Sequence, residues 1–310
     1  MAINSCLLFG PYLAQSNDAT KDHDPLIDYY EKAGPDYEEW SPNFNMHFGY
    51  YQKGMNPFNR EQMLQNMNDV VLKLLKIDPT SSATLVDMGC GLGATMRYAT
   101  STYPDLTCKG VTLVPWQKQQ ADQLNTMSSK FRNIEILIED YKKTSIPANS
   151  VDHVIAIESG CYAEEVNKAP LLREIHRILK PGGSFVMADG FLRTNKPLKG
   201  ILRLAYRQLC RSWALSELGV VGEINKELEV LNFKDIEMQD ISWRVAPSVA
   251  HVPFTVIQFL MKQMLFSKVP MTKERWDNLK SPLLTMVLGL HQSQFGYYLI
   301  SGVKNQDIFF

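Results

Sequence analysis

The 310-residue sequence predicts an α/β fold, a doubly wound and mostly parallel sheet covered by helices. Three observations predict it. The apolar run Leu85-Val86 ends in Asp87 and enters a glycine-rich turn, Met88-Gly89-Cys90-Gly91-Leu92-Gly93. Short apolar segments then alternate with segments of helical spacing, the pattern of βαβ units. Polar or acidic residues also close four successive strand segments: Asp87, Thr112, Asp140 and Glu158. In parallel sheets ligands bind outside the carboxyl ends of the strands, so these four residues converge on one crevice.

The elements follow in order. Residues 85–88 form the first strand. Glycines at alternate positions after it bring bare backbone against a ligand, where a side chain would hold the ligand away. Residues 106–113 form a second strand. Residues 134–138 form a third, closed by Glu139-Asp140-Tyr141, and residues 151–157 a fourth, ending in Glu158-Ser159. Residues 171–179 have helical apolar spacing and stop at Lys180-Pro181-Gly182-Gly183, before a fifth strand at 184–188. Beyond it, residues 197–218, 254–266 and 273–290 read as helices, and 236–245 and 295–303 as the last two strands. Residues 1–24 read as a loosely held arm.

Composition sets outer limits. Hydrophobic content of 45% and charged content of 21% describe an ordinary soluble globular chain, long enough for one core with an elaborated cap. A formal net charge of -1 gives no global reason to expect nucleic acid or an anionic membrane as partner. Five scattered cysteines argue against a disulfide framework or zinc cluster and for a reducing compartment. No run nears the roughly 20 apolar residues of a membrane span, and no basic segment opens a signal peptide. These readings lead to the expectation of a cytoplasmic protein without stable membrane insertion.

With these motifs in place, the chain resembles the class I S-adenosylmethionine-dependent methyltransferases over roughly residues 60–190. Asp87 to Gly93 match the family's glycine-rich motif, and Leu179-Lys180-Pro181-Gly182-Gly183 its late helix-to-strand turn. Gly110-Val111-Thr112-Leu113-Val114-Pro115-Trp116-Gln117 is similar to the subgroup acting on sterols, tocopherols and cyclopropane lipids, where Thr112 replaces the acidic residue of most class I members. The resemblance implies a Rossmann-like fold with S-adenosylmethionine as cofactor, which lacks a pyrophosphate and needs no dinucleotide spacing. It implies Asp87, Gly89, Gly91 and Gly93 near the amino-acid end, Thr112, Leu113 and Gln117 near the ribose, and Asp140 and Tyr141 near the adenine. Asp140 could instead simply cap its turn.

Asn45-Met46-His47-Phe48-Gly49-Tyr50 resembles the family segment leading into the core. Residues 25–60 are then an N-terminal lid, with Tyr30 closing on the cofactor. Residues 61–310 are the methyltransferase domain, with helical cap insertions at about 191–220 and 247–290.

Glu158 stands where the cyclopropane and sterol branch has an active-site glutamate, making it the leading base or cation stabiliser, with His47 second. The resemblance implies C-methylation of a small, largely apolar isoprenoid-like or ring molecule. O- or N-methylation of a secondary metabolite stays open, as does a cyclase that uses the cofactor structurally. Lys199, Arg203, Arg207 and Arg211 recur every fourth residue as a basic stripe, preceded by Arg193 and Lys196. The stripe is either a solvated helix face or a grip for an anionic substrate head. Tyr51, Arg203 and Arg207 are the substrate candidates. The expected partner is a small molecule and not nucleic acid, with room for a homo-oligomer.

Overall fold

The strand segments pair into one seven-stranded sheet in the computed structural model, which describes residues 24–267 and 269–306. Its strands are β1 (Thr84–Met88), β2 (Thr107–Thr112), β3 (Ile134–Ile138), β4 (Val151–Ile157), β5 (Leu179–Leu192), β6 (Phe233–Asp240) and β7 (Phe295–Lys304). They lie in the order β3-β2-β1-β4-β5-β7-β6; the first five are parallel, and β7 is antiparallel to both its neighbours.

Two apolar cores form because strand side chains alternate between faces. Leu85, Ile155, Val186 and Leu299 enter one core, and Val86, Val154, Phe185 and Ile300 the other. The α-helices among the described residues are α1 (Pro25–Ala33), α2 (Arg60–Leu74), α3 (Ala94–Thr102), α4 (Pro115–Asn125), α5 (Ala169–Ile178), α6 (Gly200–Ser212), α7 (Val221–Val230), α8 (Ser242–Val249), α9 (Val252–Phe266) and α10 (Lys273–Gly289). The cap consists of α6 and α8 to α10, with α10 packed on α6 and α9. No helix among the described residues is long and apolar enough to cross a membrane.

Three expected elements change. The fifth strand runs from Leu179 to Leu192 rather than 184–188, because β7 pairs with it from Ser184 to Leu192. The expected strand at 236–245 ends at Asp240, whose Oδ1 accepts from the backbone N–H and hydroxyl of Ser242, the first residue of α8. The helix read at 197–218 is confined to Gly200–Ser212, with Lys199 extended before it and Ala214 left-handed after it.

Residues of the 25–60 segment lie against the sheet's carboxyl edge. The Asp24 side chain accepts from Leu26 N–H and caps α1. Tyr29 donates its hydroxyl proton to Asn278 on α10, 2.8 Å away. Gly34 lies against the Trp116 ring of α4, so close that an added Cβ would meet it at 2.4 Å. The rest of the predicted arm, residues 1–23, lies outside the described residues.

Candidate functional site

β1 delivers Asp87 to the sheet's carboxyl edge, and the chain turns at once through Gly89, whose φ is +90°. Gly89 N–H donates to Val111 O at 2.9 Å, while Ser159 donates its hydroxyl proton to Met88 O and wedges the turn from the end of β4. A Cβ on Gly89 would lie 2.4 Å from Ser159 Cβ. Gly89→Ala is therefore expected to cost about 2–4 kcal/mol of folding stability through strain and overlap, with a lower Tm in thermal unfolding. An unchanged Tm would contradict this fit.

The turn floors a cavity of about 270 Å³. Asp87, Gly89, Gly91, Thr112, Leu113, Gln117, Asp140, Tyr141, Glu158, His47 and Tyr30 all line it. Gly93 does not; it is left-handed and starts α3. Thr112 donates its hydroxyl proton to Gln117 Oε1 at 2.6 Å and accepts from Val114 N–H at 3.1 Å. Asp140 both lines the cavity and caps its turn, accepting from Lys142 N–H at 2.9 Å. Tyr141 donates its hydroxyl proton to Ser159 O at 2.9 Å.

The electrostatics single out the carboxylates. Asp87 is buried and accepts no hydrogen bond from the described residues; burial pushes its carboxyl up to about 7. Glu158, left-handed at φ +48°, accepts at Oε1 from Phe48 N–H (2.6 Å) and Tyr297 O–H (2.8 Å). Burial, helped by nearby Asp189, raises Glu158 to about 8 against the downward pull of these two donors. His47 is less suited to proton transfer than the sequence reading allowed. Its Nδ1 lies 2.9 Å from Phe48 O and its Nε2 3.0 Å from Asn68 Oδ1; both partners are acceptors, so the neutral ring donates to one of them at a time, and either bond fixes the ring in place. Burial lowers its pKa.

A second, larger cavity of about 610 Å³ adjoins the first, sharing Tyr30, Met46, Glu158 and Tyr162 with it. The Tyr30 and Tyr162 hydroxyls meet at 2.9 Å there, tying lid to core. The rings of Tyr37, Phe48, Trp213 and Tyr297 surround this junction, and the cap supplies Leu209, Val245, Val249 and Leu288. Asp189 is its second carboxylate, accepting from Cys161 and Gly190 N–H at 2.8 Å each and raised by burial to about 6.

Sequence reasoning missed Asp189, Tyr162, Trp213 and Tyr297. Asp189 carried the signal already used elsewhere, an acid closing an apolar strand run, Phe185-Val186-Met187-Ala188.

The substrate candidates lie elsewhere. Tyr51 lines neither cavity; its N–H donates to Arg244 O. Arg203 and Arg207 are exposed on the outer face of α6 with Lys199 and Arg211, and line neither cavity. The helix turns its apolar side, including Leu209, inward, which necessarily sends the stripe out. Arg193 is spent on Asp240 at 2.6 Å and on the Tyr298 hydroxyl. No Lys or Arg of the described residues lines the larger cavity.

The sheet order, the glycine turn and the crevice at the strand ends are those of the class I methyltransferase fold. Residues 86–187 match the family model described as "Methyltransferase domain". The chain is similar to a 2-methyl-6-phytyl-1,4-hydroquinone methyltransferase from Synechocystis sp., 28% identical over 52% of this chain and 50% of that protein. It is also similar to the S-adenosyl-L-methionine-dependent Diels-Alderase iccD of Talaromyces variabilis, 27% identical over 66% of this chain and 70% of that protein. Among solved structures, the cyclopropane synthase MmaA2 from Mycobacterium tuberculosis shares the fold, with a TM-score of 0.76 and 17% identity over 90% of this chain and 97% of that one. Against the first of these relatives the alignment spans half of the curated protein's length.

Proposed function

We propose that the protein methylates a small, largely apolar and uncharged acceptor, at carbon, by way of a cationic intermediate. The observation that carries this reading is the junction of the two cavities. There aromatic faces and two carboxylates surround the reacting point, and no basic side chain lines the acceptor side. S-adenosylmethionine, when bound, supplies a methyl group activated by a positive sulfur.

The chain's residues supply the remainder. Asp87 would pair with the cofactor's ammonium, since its carboxylate lacks a donor, and the bare backbone at Gly89 and Gly91 would admit the amino-acid end. Thr112, Leu113 and Gln117 would face the ribose, and Asp140 would accept from the adenine amino group. Tyr30, Tyr37, Phe48 and Trp213 would stabilise positive charge developing on the acceptor. Glu158 would then remove a proton, a role its raised pKa favours near neutrality. Isoprenoid-like or phenolic-ring secondary metabolites fit these requirements, encountered in a reducing, cytoplasmic setting.

A second reading rests on the likeness to a Diels-Alderase. Here the cofactor is retained structurally and the large apolar cavity folds a polyene for ring closure.

Methyl-labelled cofactor offered with terpenoids, sterols, phenolics and prenyl diphosphates tests the proposal. Label on carbon of an uncharged acceptor supports it. Label confined to oxygen or nitrogen overturns the carbon assignment, and label on a prenyl diphosphate overturns the requirement for an uncharged acceptor. Bound cofactor without any transfer favours the cyclase reading.

A further inference from the structure

The cap has an outer surface unlike the rest of the molecule. Seventeen large hydrophobic side chains are exposed among the described residues, and thirteen of them stand on α6, α8, α9 or α10, on the link between α9 and α10, or, as Leu290, just past the end of α10. Along α9, Phe254, Ile257, Met261 and Met264 recur at helical spacing and are 58–85% exposed, although the opposite side of the same helix buries Val252 and Phe259. A helix apolar on both sides needs a second apolar neighbour. Trp243 and Leu290 are 75% and 83% exposed, and both also line the 610 Å³ cavity, so its mouth opens within this surface.

The charge distribution indicates what that neighbour is. Residues 190–216 and 241–273 contain ten of the chain's 32 Lys and Arg and none of its 33 Asp and Glu, which leaves the remainder at -11. A near-neutral total thus conceals a cationic cap on an acidic body. At the start of α6 and along it, the exposed Lys199, Arg203, Arg207 and Arg211 are interspersed with exposed Ile201 and Leu204. None of these four cations has a carboxylate within ion-pair distance among the described residues. A second copy meeting this face about a two-fold axis would bring like charges together. An anionic lipid surface would satisfy both the cations and the apolar side chains.

We propose that the cap docks peripherally on an anionic membrane. The outer side of α9 and the cavity mouth at Trp243 and Leu290 rest at the acyl-chain boundary, with α6 on the headgroup phosphates. An apolar acceptor then enters the cavity directly from lipid. This holds whichever atom is methylated.

The test is cosedimentation of the full chain with vesicles of phosphatidylcholine, with and without one-third phosphatidylglycerol. The expected result is binding to the anionic vesicles, weakened by salt, and little binding to the neutral ones. Met261→Glu with Met264→Glu should lower partitioning by about tenfold or more. Arg203→Glu with Arg207→Glu should abolish the preference for phosphatidylglycerol. All four residues lie outside both cavities, so cofactor affinity and Tm should match the parent and report that the variants fold. A parent that stays in the supernatant, or variants that bind as it does, would overturn the proposal. So would a lipid-free dimer that the methionine substitutions turn into a monomer, since the face would then be a self-association surface.

Discussion

Asp87→Ala will weaken S-adenosylmethionine binding by about 100-fold or more, because it leaves the ligand's buried ammonium without its charge partner. Asp87 is buried at the end of β1 and accepts no hydrogen bond from the described residues, and burial alone raises its carboxyl to about 7. The proposed pairing needs the ionised form. Cofactor affinity should therefore rise with pH through about 7 and level off above it, falling by up to about tenfold per pH unit below. Titration calorimetry across pH 5.5 to 8.5, about three decades of proton activity, reads both effects; the slope near 7 should vanish in the variant. Unchanged affinity in Asp87→Ala would remove Asp87 from the cofactor site.

The same shift bears on stability, with the opposite preference. A carboxyl whose folded pKa lies above its unfolded value stabilises fully below the unfolded value, and that contribution is lost as pH rises through about 7. At about pH 8 the free protein therefore carries the cost of a buried, unpaired anion. Asp87→Asn should raise the Tm of the free protein at that pH while impairing cofactor binding, a trade of stability for function at one residue. A lower Tm for Asp87→Asn would show that the carboxylate is satisfied within the free protein.

Glu158→Gln is expected to slow turnover by about 10²–10⁴-fold while cofactor affinity stays within a few-fold. Glutamine keeps the shape and can still accept from Phe48 N–H and Tyr297 O–H at Oε1, but it cannot take a proton from the acceptor. With the carboxyl near 8, the rate in the parent should rise with pH through about 8 as the base ionises. Tyr297→Phe removes a donor that favours the ionised form, so this limb should move to higher pH. A merely structural Tyr297 would change the rate without moving the limb. Normal turnover in Glu158→Gln would exclude Glu158 as the base.

Much of the cofactor crevice was legible because its signals are local. Asp87, Thr112, Asp140 and Glu158 each close a strand segment, and parallel pairing brings such closing residues to one edge. The stripe on α6 was legible only in part. A four-residue period places Arg203 and Arg207 on one side of a helix, yet period alone does not say whether that side faces a cavity or solvent. His47 illustrates the same limit: its ring is buried between two acceptors, one of them Asn68 Oδ1 twenty-one positions away. Residues 236–245 misled because Asp240 accepts from the N–H and hydroxyl of Ser242 and the strand ends where apolar content continues.

By itself, then, the sequence determined the parallel half of the sheet, the turn at Gly89 and the placing of Asp87, Thr112, Asp140 and Glu158 at the smaller cavity. Strand alternation and glycine's tolerance of positive φ are properties of a few neighbouring residues. Only the tertiary structure decided that Asp189, Trp213 and Tyr297, from separate elements, line one cavity with Glu158, and that Trp243 and Leu290 are exposed where they line it. Those arrangements depend on how α8 and α10 pack on β7 and how α6 and α9 pack on α10, and the pairing of Tyr297 with Glu158 joins side chains more than a hundred positions apart.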